Sequence, residues 1–229
     1  MQVRVLCLAG VLAAAGASAL QAHEAGDWIL RGGLALVDPD GDSGPLEAAG
    51  LGPVAASGVE VKDDTQLGLT LTWMLSDRLG VELLASTPFH HEIEARTGAL
   101  GLGPVDAGDT RHLPPTLSAV WYPWGSGGAF SPYLGAGINY TWFFDDDASR
   151  ALEQALGAEL DLELDDSLGI ALQVGVDVPL GGAWHLNAAV RWIDIATDAR
   201  VVAAGTTALA IDDVEIDPWV YQLTLGYAF

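Results

Sequence analysis

Alternation of apolar and polar side chains, in eight segments of about ten residues each, is the feature that most constrains this sequence. A two-residue period places alternate side chains on opposite faces of a β-strand, whereas an amphipathic helix repeats about every 3.6 residues. The clearest segment, 64–74, alternates through Gln66, Leu67, Gly68, Leu69, Thr70, Leu71, Thr72 and Trp73. The other seven segments begin at Trp28, Leu79, Leu113, Leu134, Leu168, Trp184 and Trp219. We therefore predict eight strands.

The apolar faces of these segments carry no charged residue. The charges within the strands all fall on the opposite face, and they are Arg31, Glu82, Asp177 and Arg191. A soluble sandwich would also alternate, with its polar face in water and its apolar face in a core. Alternation alone therefore leaves the choice between a sandwich and a membrane barrel open.

The number of strands and the lengths of their connections favour a barrel. Eight is an even number and the smallest strand number of bacterial outer-membrane barrels, which have short periplasmic turns and longer extracellular loops. Short connections at 75–78, 123–128 and 179–182 alternate with long, acidic ones at 38–63, 94–111, 145–166 and 197–214. We predict an all-β fold: an eight-stranded antiparallel up-and-down transmembrane β-barrel with short periplasmic turns and four long extracellular loops.

Aromatic residues at the strand ends agree with this prediction, because tryptophan and tyrosine concentrate at both membrane–water interfaces. The predicted inner girdle is Trp28, Trp73, Trp121, Trp124, Trp184 and Tyr227, and the predicted outer girdle is Trp142, Trp192 and Trp219. The last strand ends in Phe229, and we expect this aromatic terminus to be the signal that barrel-assembly machinery recognises.

The first 22 residues are predicted to be a secretory signal peptide, with residues 23–229 forming the barrel. Arg4 precedes an apolar run of about 16 residues, and Leu20-Gln21-Ala22 offers a small-residue cleavage site. The run is shorter than the roughly 20 residues that a spanning helix needs, which disfavours the alternative of a membrane anchor. The only cysteine, Cys7, lies inside this run, so disulfides are excluded from the exported chain.

The composition is strongly acidic, with 31 Asp and Glu against 9 Lys and Arg, for a formal net charge of −22. Nucleic-acid binding is disfavoured because phosphate contacts need clustered basic side chains. Acidic stretches at 145–147 and 161–166 raise an alternative function, a structural or adhesion barrel whose loops contact divalent cations or lipopolysaccharide. Their spacing does not fit an EF-hand, and a saline habitat would also explain the acidity.

Several motifs resemble the OmpW family of outer-membrane proteins. They are HEAGD (23–27), TQLGLT (65–70), GVELLA (80–85), TPF (87–89), HLPPTL (112–117), PYLGAGINYT (132–141), QVGVD (173–177) and DPWV (217–220). The resemblance runs through the whole predicted barrel and is weakest in the acidic loops. It implies an eight-stranded barrel for passive uptake of small hydrophobic molecules. The expected partners are these solutes, outer-membrane lipid and lipopolysaccharide, with assembly machinery during biogenesis.

Strand parity predicts an apolar upper lumen above a polar lower lumen. The predicted substrate channel comprises Val37, Leu84, Pro88, Pro114, Phe143, Ile193 and Val220. Below it, Arg31, Glu82, Asp177 and Arg191 are predicted to pair and to close the bore, because buried charges need partners. We expect a solute to leave sideways near Pro88, Pro114 or Pro115, where prolines lack the N–H that a strand ladder requires.

An outer-membrane acyltransferase or deacylase is the enzymatic alternative, with Ser86, His90, His91 and His112 as candidates. Nucleophilic catalysis needs a base within hydrogen-bond reach of the hydroxyl, and no recognisable motif surrounds Ser86. A metal site formed by these histidines and Glu92 lacks a distinctive spacing. We therefore expect no enzymatic activity, no catalytic residue, no metal and no cofactor.

Overall fold

The structure is a computed structural model that describes residues 23–41, 43–48, 52–96, 98, 104–125 and 128–229. The predicted signal peptide, 1–22, lies outside the described residues. Across these described ranges, no helix is both long enough and apolar enough to cross a membrane.

The described residues form sixteen β-strands and one α-helix. In chain order they are β1 (Trp28–Asp38), β2 (Glu47–Ala48), β3 (Gly52–Pro53), β4 (Gly58–Val61), β5 (Asp64–Ser76), β6 (Leu79–Ser86), β7 (Phe89–Arg96), β8 (Pro104–Leu113), β9 (Thr116–Trp121), β10 (Ser131–Ala148), α1 (Arg150–Leu156), β11 (Leu160–Leu164), β12 (Ser167–Gly181), β13 (Trp184–Ile193), β14 (Ala196–Ala203), β15 (Thr206–Glu215) and β16 (Trp219–Ala228).

Eight of these strands close into the predicted antiparallel barrel. Their order around the barrel is β12-β13-β16-β1-β5-β6-β9-β10, and β10 pairs with β12 to complete the circle. The chain ends meet in this arrangement, because β1 pairs with β16 from Ile29↔Ala228 to Asp38↔Trp219. Closure removes the open sheet edges, whose backbone groups lipid cannot satisfy.

The predicted separation of the two strand faces is confirmed by side-chain exposure. Leu67 and Ile138 on the outer surface are 61% and 59% exposed, whereas Arg31 and Thr72 inside are almost completely buried. Aromatic side chains pair at the ends of the wall, for example Trp28 with Trp73 at a ring separation of 5.9 Å. The apolar outer face therefore suits contact with lipid around the whole barrel.

The long connections are folded, which the alternation pattern did not predict. Strands β7 and β8 form a hairpin over much of the connection expected at 94–111, and this hairpin pairs with β4 and with the outer part of β10. A second sheet has the strand order β11-β14-β15-β2-β3. Helix α1 follows β10, and the Ser149 hydroxyl accepts a hydrogen bond from Leu152 N at its start.

Candidate functional site

The lumen is layered, and strand β1 contributes to each layer in turn. From the periplasmic end outward, its inward side chains are Ile29, Arg31, Ala35 and Val37. Ile29 belongs to an apolar floor, Arg31 to a polar layer, and Val37 to an upper apolar cluster. A single strand can supply all three layers because every second residue points inward along its length.

Arg31 forms one half of the polar layer. Its guanidinium donates two hydrogen bonds to Asp177, from Nε at 3.2 Å and from Nη2 at 2.8 Å. Its Nη1 also donates to Glu82 at 3.1 Å. Because β12 and β6 lie on opposite sides of β1 around the barrel, these bonds cross the bore.

Arg191 forms the other half, and Glu82 joins the two halves. The Arg191 Nη2 atom donates to Glu82 Oε1 at 3.0 Å, and Nη1 donates to Gln222 Oε1 at 2.9 Å. The amide of Gln173 donates to Glu82 and accepts from Arg191. The four charges that strand parity placed inside are thus all buried and lie in one hydrogen-bonded cluster with two positive and two negative members.

The floor contains two buried tyrosines that the sequence analysis did not single out. The Tyr122 hydroxyl donates to Asp177 at 3.0 Å and accepts from Arg31 at 2.8 Å, while Tyr133 accepts from Asn187 at 3.1 Å. The alternation pattern could have placed both tyrosines inside the barrel, because each is next in sequence to a lipid-facing residue, Trp121 or Leu134. They seal the polar layer from below.

A histidine pair beside this floor offers the one metal-like cluster that the described ranges contain. His23, Asp177 and His185 each place a ligand atom within 4.8 Å of the other two. The Asp177 oxygens, however, already accept hydrogen bonds from Arg31, Tyr122 and Asn187. A cation would compete there with a buried guanidinium, so the arrangement favours a structural role.

The upper lumen holds most of the predicted channel residues. Val37, Phe143, Ile193 and Val220 pack in one buried cluster, and Leu84 and Pro114 are also buried. The inward placement of Pro88 is wrong, because this residue is exposed. The chain bends between β6 and β7, which changes the parity of the inward residues from even at Leu84 to odd at Phe89.

A cavity of about 800 Å³, including its open part, lies among the extracellular elements above this cluster. Its apolar lining includes Phe143, Ile93, Leu152, Leu162, Val201 and Leu209. Phe143 is the predicted channel residue that reaches it. The other lining residues belong to the extracellular connections, where the alternation of the barrel strands makes no prediction. His91 and His112 also line the cavity.

The strand ladder of the wall is interrupted next to this cavity. Pairing of β6 with β9 ends at Leu84↔Thr116, and pairing of β7 with β8 resumes at Phe89↔His112. The intervening segments, 85–88 and 113–115, contain the three prolines that the sequence analysis associated with lateral exit. His112 both lines the cavity and belongs to the first pair beyond the interruption.

Comparison with known proteins agrees with this architecture. A family model described as the OmpW family matches residues 24–229. The chain belongs to the OmpW family. Outer membrane protein W of Vibrio cholerae is 42% identical over 227 residues, which cover 99% of each chain. The crystal structure of OprG from Pseudomonas aeruginosa has a TM-score of 0.82 at 41% identity, covering 92% of this chain and 99% of OprG.

A more distant relative has a name that refers to metabolism. The dibenzothiophene metabolism operon protein PahQ of Pseudomonas aeruginosa is 26% identical over 176 residues, which cover 77% of each chain. Family and fold together identify this OmpW-family chain as an outer-membrane β-barrel.

The residues of the enzymatic alternative are not assembled into a catalytic pair. Ser86 Oγ is buried and has no hydrogen-bond partner among the described residues. His90 is exposed and lies 3.6 Å from Asp109, and His91 contacts the carbonyl of Lys62 instead. Within the described part of this OmpW-family chain, no imidazole forms a hydrogen bond with the Ser86 hydroxyl.

The acidic stretches contact protein donors in several places. Asp145 accepts from Arg111 at 3.1 Å, and Asp166 accepts from the Phe143 backbone N–H at 3.2 Å. Asp165 pairs with Arg200. These contacts give some of the acidic side chains a structural role that needs no metal ion.

Proposed function

We propose that this OmpW-family barrel mediates passive uptake of small hydrophobic molecules, which enter the loop cavity and leave sideways into the outer membrane. The observation that carries the proposal is the apolar cavity of about 800 Å³ next to an interrupted wall. Ligand pockets in proteins are likewise lined mainly by apolar side chains. The partners that the mechanism requires are the solute and the outer-membrane lipid that receives it.

The polar layer supports a lateral route over a straight one. An apolar solute that moved down the bore would have to displace Arg31, Glu82 and Arg191 from their hydrogen bonds. It would also lose the roughly 25 cal/mol per Å² that burial of apolar surface contributes. The same layer would oppose ion leakage, so Arg31, Glu82, Asp177 and Arg191 act in this proposal as a charge plug.

The wall interruption supports the position of the exit. A closed barrel holds its strands together by continuous backbone hydrogen bonds, and proline cannot donate to such a ladder. Pro114 and Pro115 lie on one side of the interruption and Pro88 on the other. A solute in contact with His112 or Phe143 would therefore be beside a part of the wall where the backbone ladder is interrupted.

The name of PahQ supports the class of solute. It assigns that relative to an operon for the metabolism of dibenzothiophene, which is a hydrophobic aromatic compound. A cell that metabolises such a compound must first move it across the polysaccharide outside the membrane. The apolar cavity of this chain would suit the same task, the passage of a hydrophobic compound across that polysaccharide.

Uptake of a hydrophobic probe, such as an alkane or a steroid, into liposomes or whole cells tests the proposal. Leu84→Arg places a charge in the apolar upper lumen beside the interruption, and we expect uptake to fall severalfold. Ser86→Ala, two residues further along the same inward face, removes the candidate nucleophile and should leave uptake unchanged. A gel-mobility assay for the folded barrel should find both variants folded.

Two results would overturn the proposal. Uptake by the folded Leu84→Arg barrel at the wild-type rate would exclude the upper lumen as the route. Loss of uptake in Ser86→Ala would favour chemistry at that hydroxyl over passive transport.

A further inference from the structure

Two histidines and two threonines, Thr110 and Thr197, interrupt the apolar lining of the loop cavity. His91 on β7 and His112 on β8 both line it, and both are at least nine-tenths buried. Their rings stack at a centroid separation of 4.9 Å and an angle of 11°. Phe89 and Phe143 pack against His112, at ring separations of 5.5 and 5.6 Å, and hold the imidazoles in place.

The hydrogen bond of His91 determines which of its ring nitrogens carries the proton. The His91 Nδ1 atom lies 2.5 Å from the carbonyl oxygen of Lys62. A carbonyl oxygen can only accept, so Nδ1 must donate its hydrogen. In the neutral ring the remaining nitrogen, Nε2, is then an acceptor with a free lone pair.

Two buried imidazole nitrogens at this site lack a hydrogen-bond partner within the described part of the chain: Nε2 of His91 and Nδ1 of His112. Burial lowers the pKa of His112 to about 3 and also lowers the pKa of His91, so both rings are neutral near pH 7. An unpaired buried polar atom costs about 1–3 kcal/mol. Two such atoms on side chains that line the cavity therefore indicate that a ligand completes them.

We propose that the loop cavity selects neutral molecules that combine a hydrocarbon body with a hydroxyl group, such as long-chain alcohols. The hydroxyl hydrogen is donated to His91 Nε2, and the hydroxyl oxygen accepts from His112 Nδ1–H. The hydrocarbon body packs against the apolar lining. This inference rests on the proposed function and specifies its substrate class.

The lining and charge of the chain favour an alcohol over two obvious competitors. A plain alkane leaves both imidazole nitrogens unpaired. A carboxylate has no hydrogen to donate to His91, and no lysine or arginine is among the described residues that line the cavity. The formal net charge of −22 opposes anions further.

Binding of three ten-carbon probes to the isotopically labelled barrel in lipid nanodiscs tests the proposal. The probes are decanol, decane and decanoate, each dosed by its mole fraction in the bilayer. We expect decanol to shift the imidazole resonances of His91 and His112 while those of the exposed His90 stay unchanged. Decane and decanoate should shift the His91 and His112 resonances less than decanol does at the same dose.

Phenylalanine substitutions provide the matched variants, because they preserve the stacking and remove the polar nitrogens. His91→Phe and His112→Phe should each weaken decanol binding about twofold to tenfold, which is the range for one net hydrogen bond. Their affinity for decane should be unchanged. His90→Phe, on the same strand and facing solvent, should bind decanol as the wild type does.

The outcomes separate the inference from the proposed function. Equal effects of His91→Phe on decanol and decane, or unmoved His91 and His112 resonances in the wild type, would overturn the hydroxyl site even if hydrophobic uptake persists. Wild-type resonances decide the question without any variant, so a folding failure cannot mask the result. Selective decanol binding together with uptake that Leu84→Arg leaves intact would instead overturn the transport route and support the site.

Discussion

Replacing Glu82 with leucine should strongly destabilise the barrel. Glu82 is 2% exposed and accepts hydrogen bonds from Arg31, Thr72, Gln173 and Arg191 at 3.0–3.1 Å. Within the described residues, it is the only carboxylate that forms an ion pair with Arg191. Its removal leaves a buried guanidinium without a counter-ion, which costs about 3–5 kcal/mol. A cost of about 4 kcal/mol is roughly a thousandfold in the unfolding equilibrium.

The assay is urea unfolding of the refolded barrel in lipid vesicles, followed by tryptophan fluorescence. The double variant Glu82→Leu/Arg191→Leu removes both partners, so it should recover most of the lost stability, since replacing a buried pair by apolar groups is often nearly neutral. Glu92→Leu removes an exposed carboxylate of β7 and should change stability by less than about 0.5 kcal/mol. If Glu82→Leu cost under 1 kcal/mol, or if the double variant were no more stable than the single one, the cluster would not be the paired network described above.

Two further predictions concern packing and pH. A Cβ at Gly33 would lie 2.3 Å from the backbone oxygen of Leu223, so Gly33→Ala should cost about 1–3 kcal/mol in the same urea assay. The neighbouring Gly32 faces lipid, and a Cβ there would meet its closest atom, on Leu69, at 3.5 Å, so Gly32→Ala should be nearly neutral. An equal loss of stability in the two variants would contradict the tight inward packing at Gly33. The folded-state pKa of His112, about 3, lies below the 6.5 of an exposed histidine, so the unfolded chain binds more protons between these values. The contribution of neutral His112 to the free energy of unfolding is therefore complete above pH 6.5 and is lost as the pH drops towards 3. The urea midpoint should consequently decline less between pH 7 and pH 4 in His112→Phe than in the wild type. Identical declines in the two proteins would contradict a buried neutral ring.

The lipid and lumen faces of the barrel strands were predictable, and the loop cavity was not. Alternation placed Arg31, Glu82, Asp177 and Arg191 inside because a strand has only two faces, and a charge on the lipid face would be too costly. It failed at Pro88 because the bend after Ser86 restarts the alternation one residue out of step. It also could not say which of these charges pair with which, since it says nothing about which strands face each other across the bore.

The sequence by itself determined that this chain forms a closed eight-stranded barrel, because the alternation of apolar and polar residues within each strand shows which side faces lipid. Only the tertiary structure decided how the extracellular connections fold over the barrel. Residues as distant in sequence as Leu46, His91, Leu152 and Val201 line one cavity there. Contacts between separate connections leave no local period to detect, so the proposed binding site becomes visible only once the barrel has brought them together.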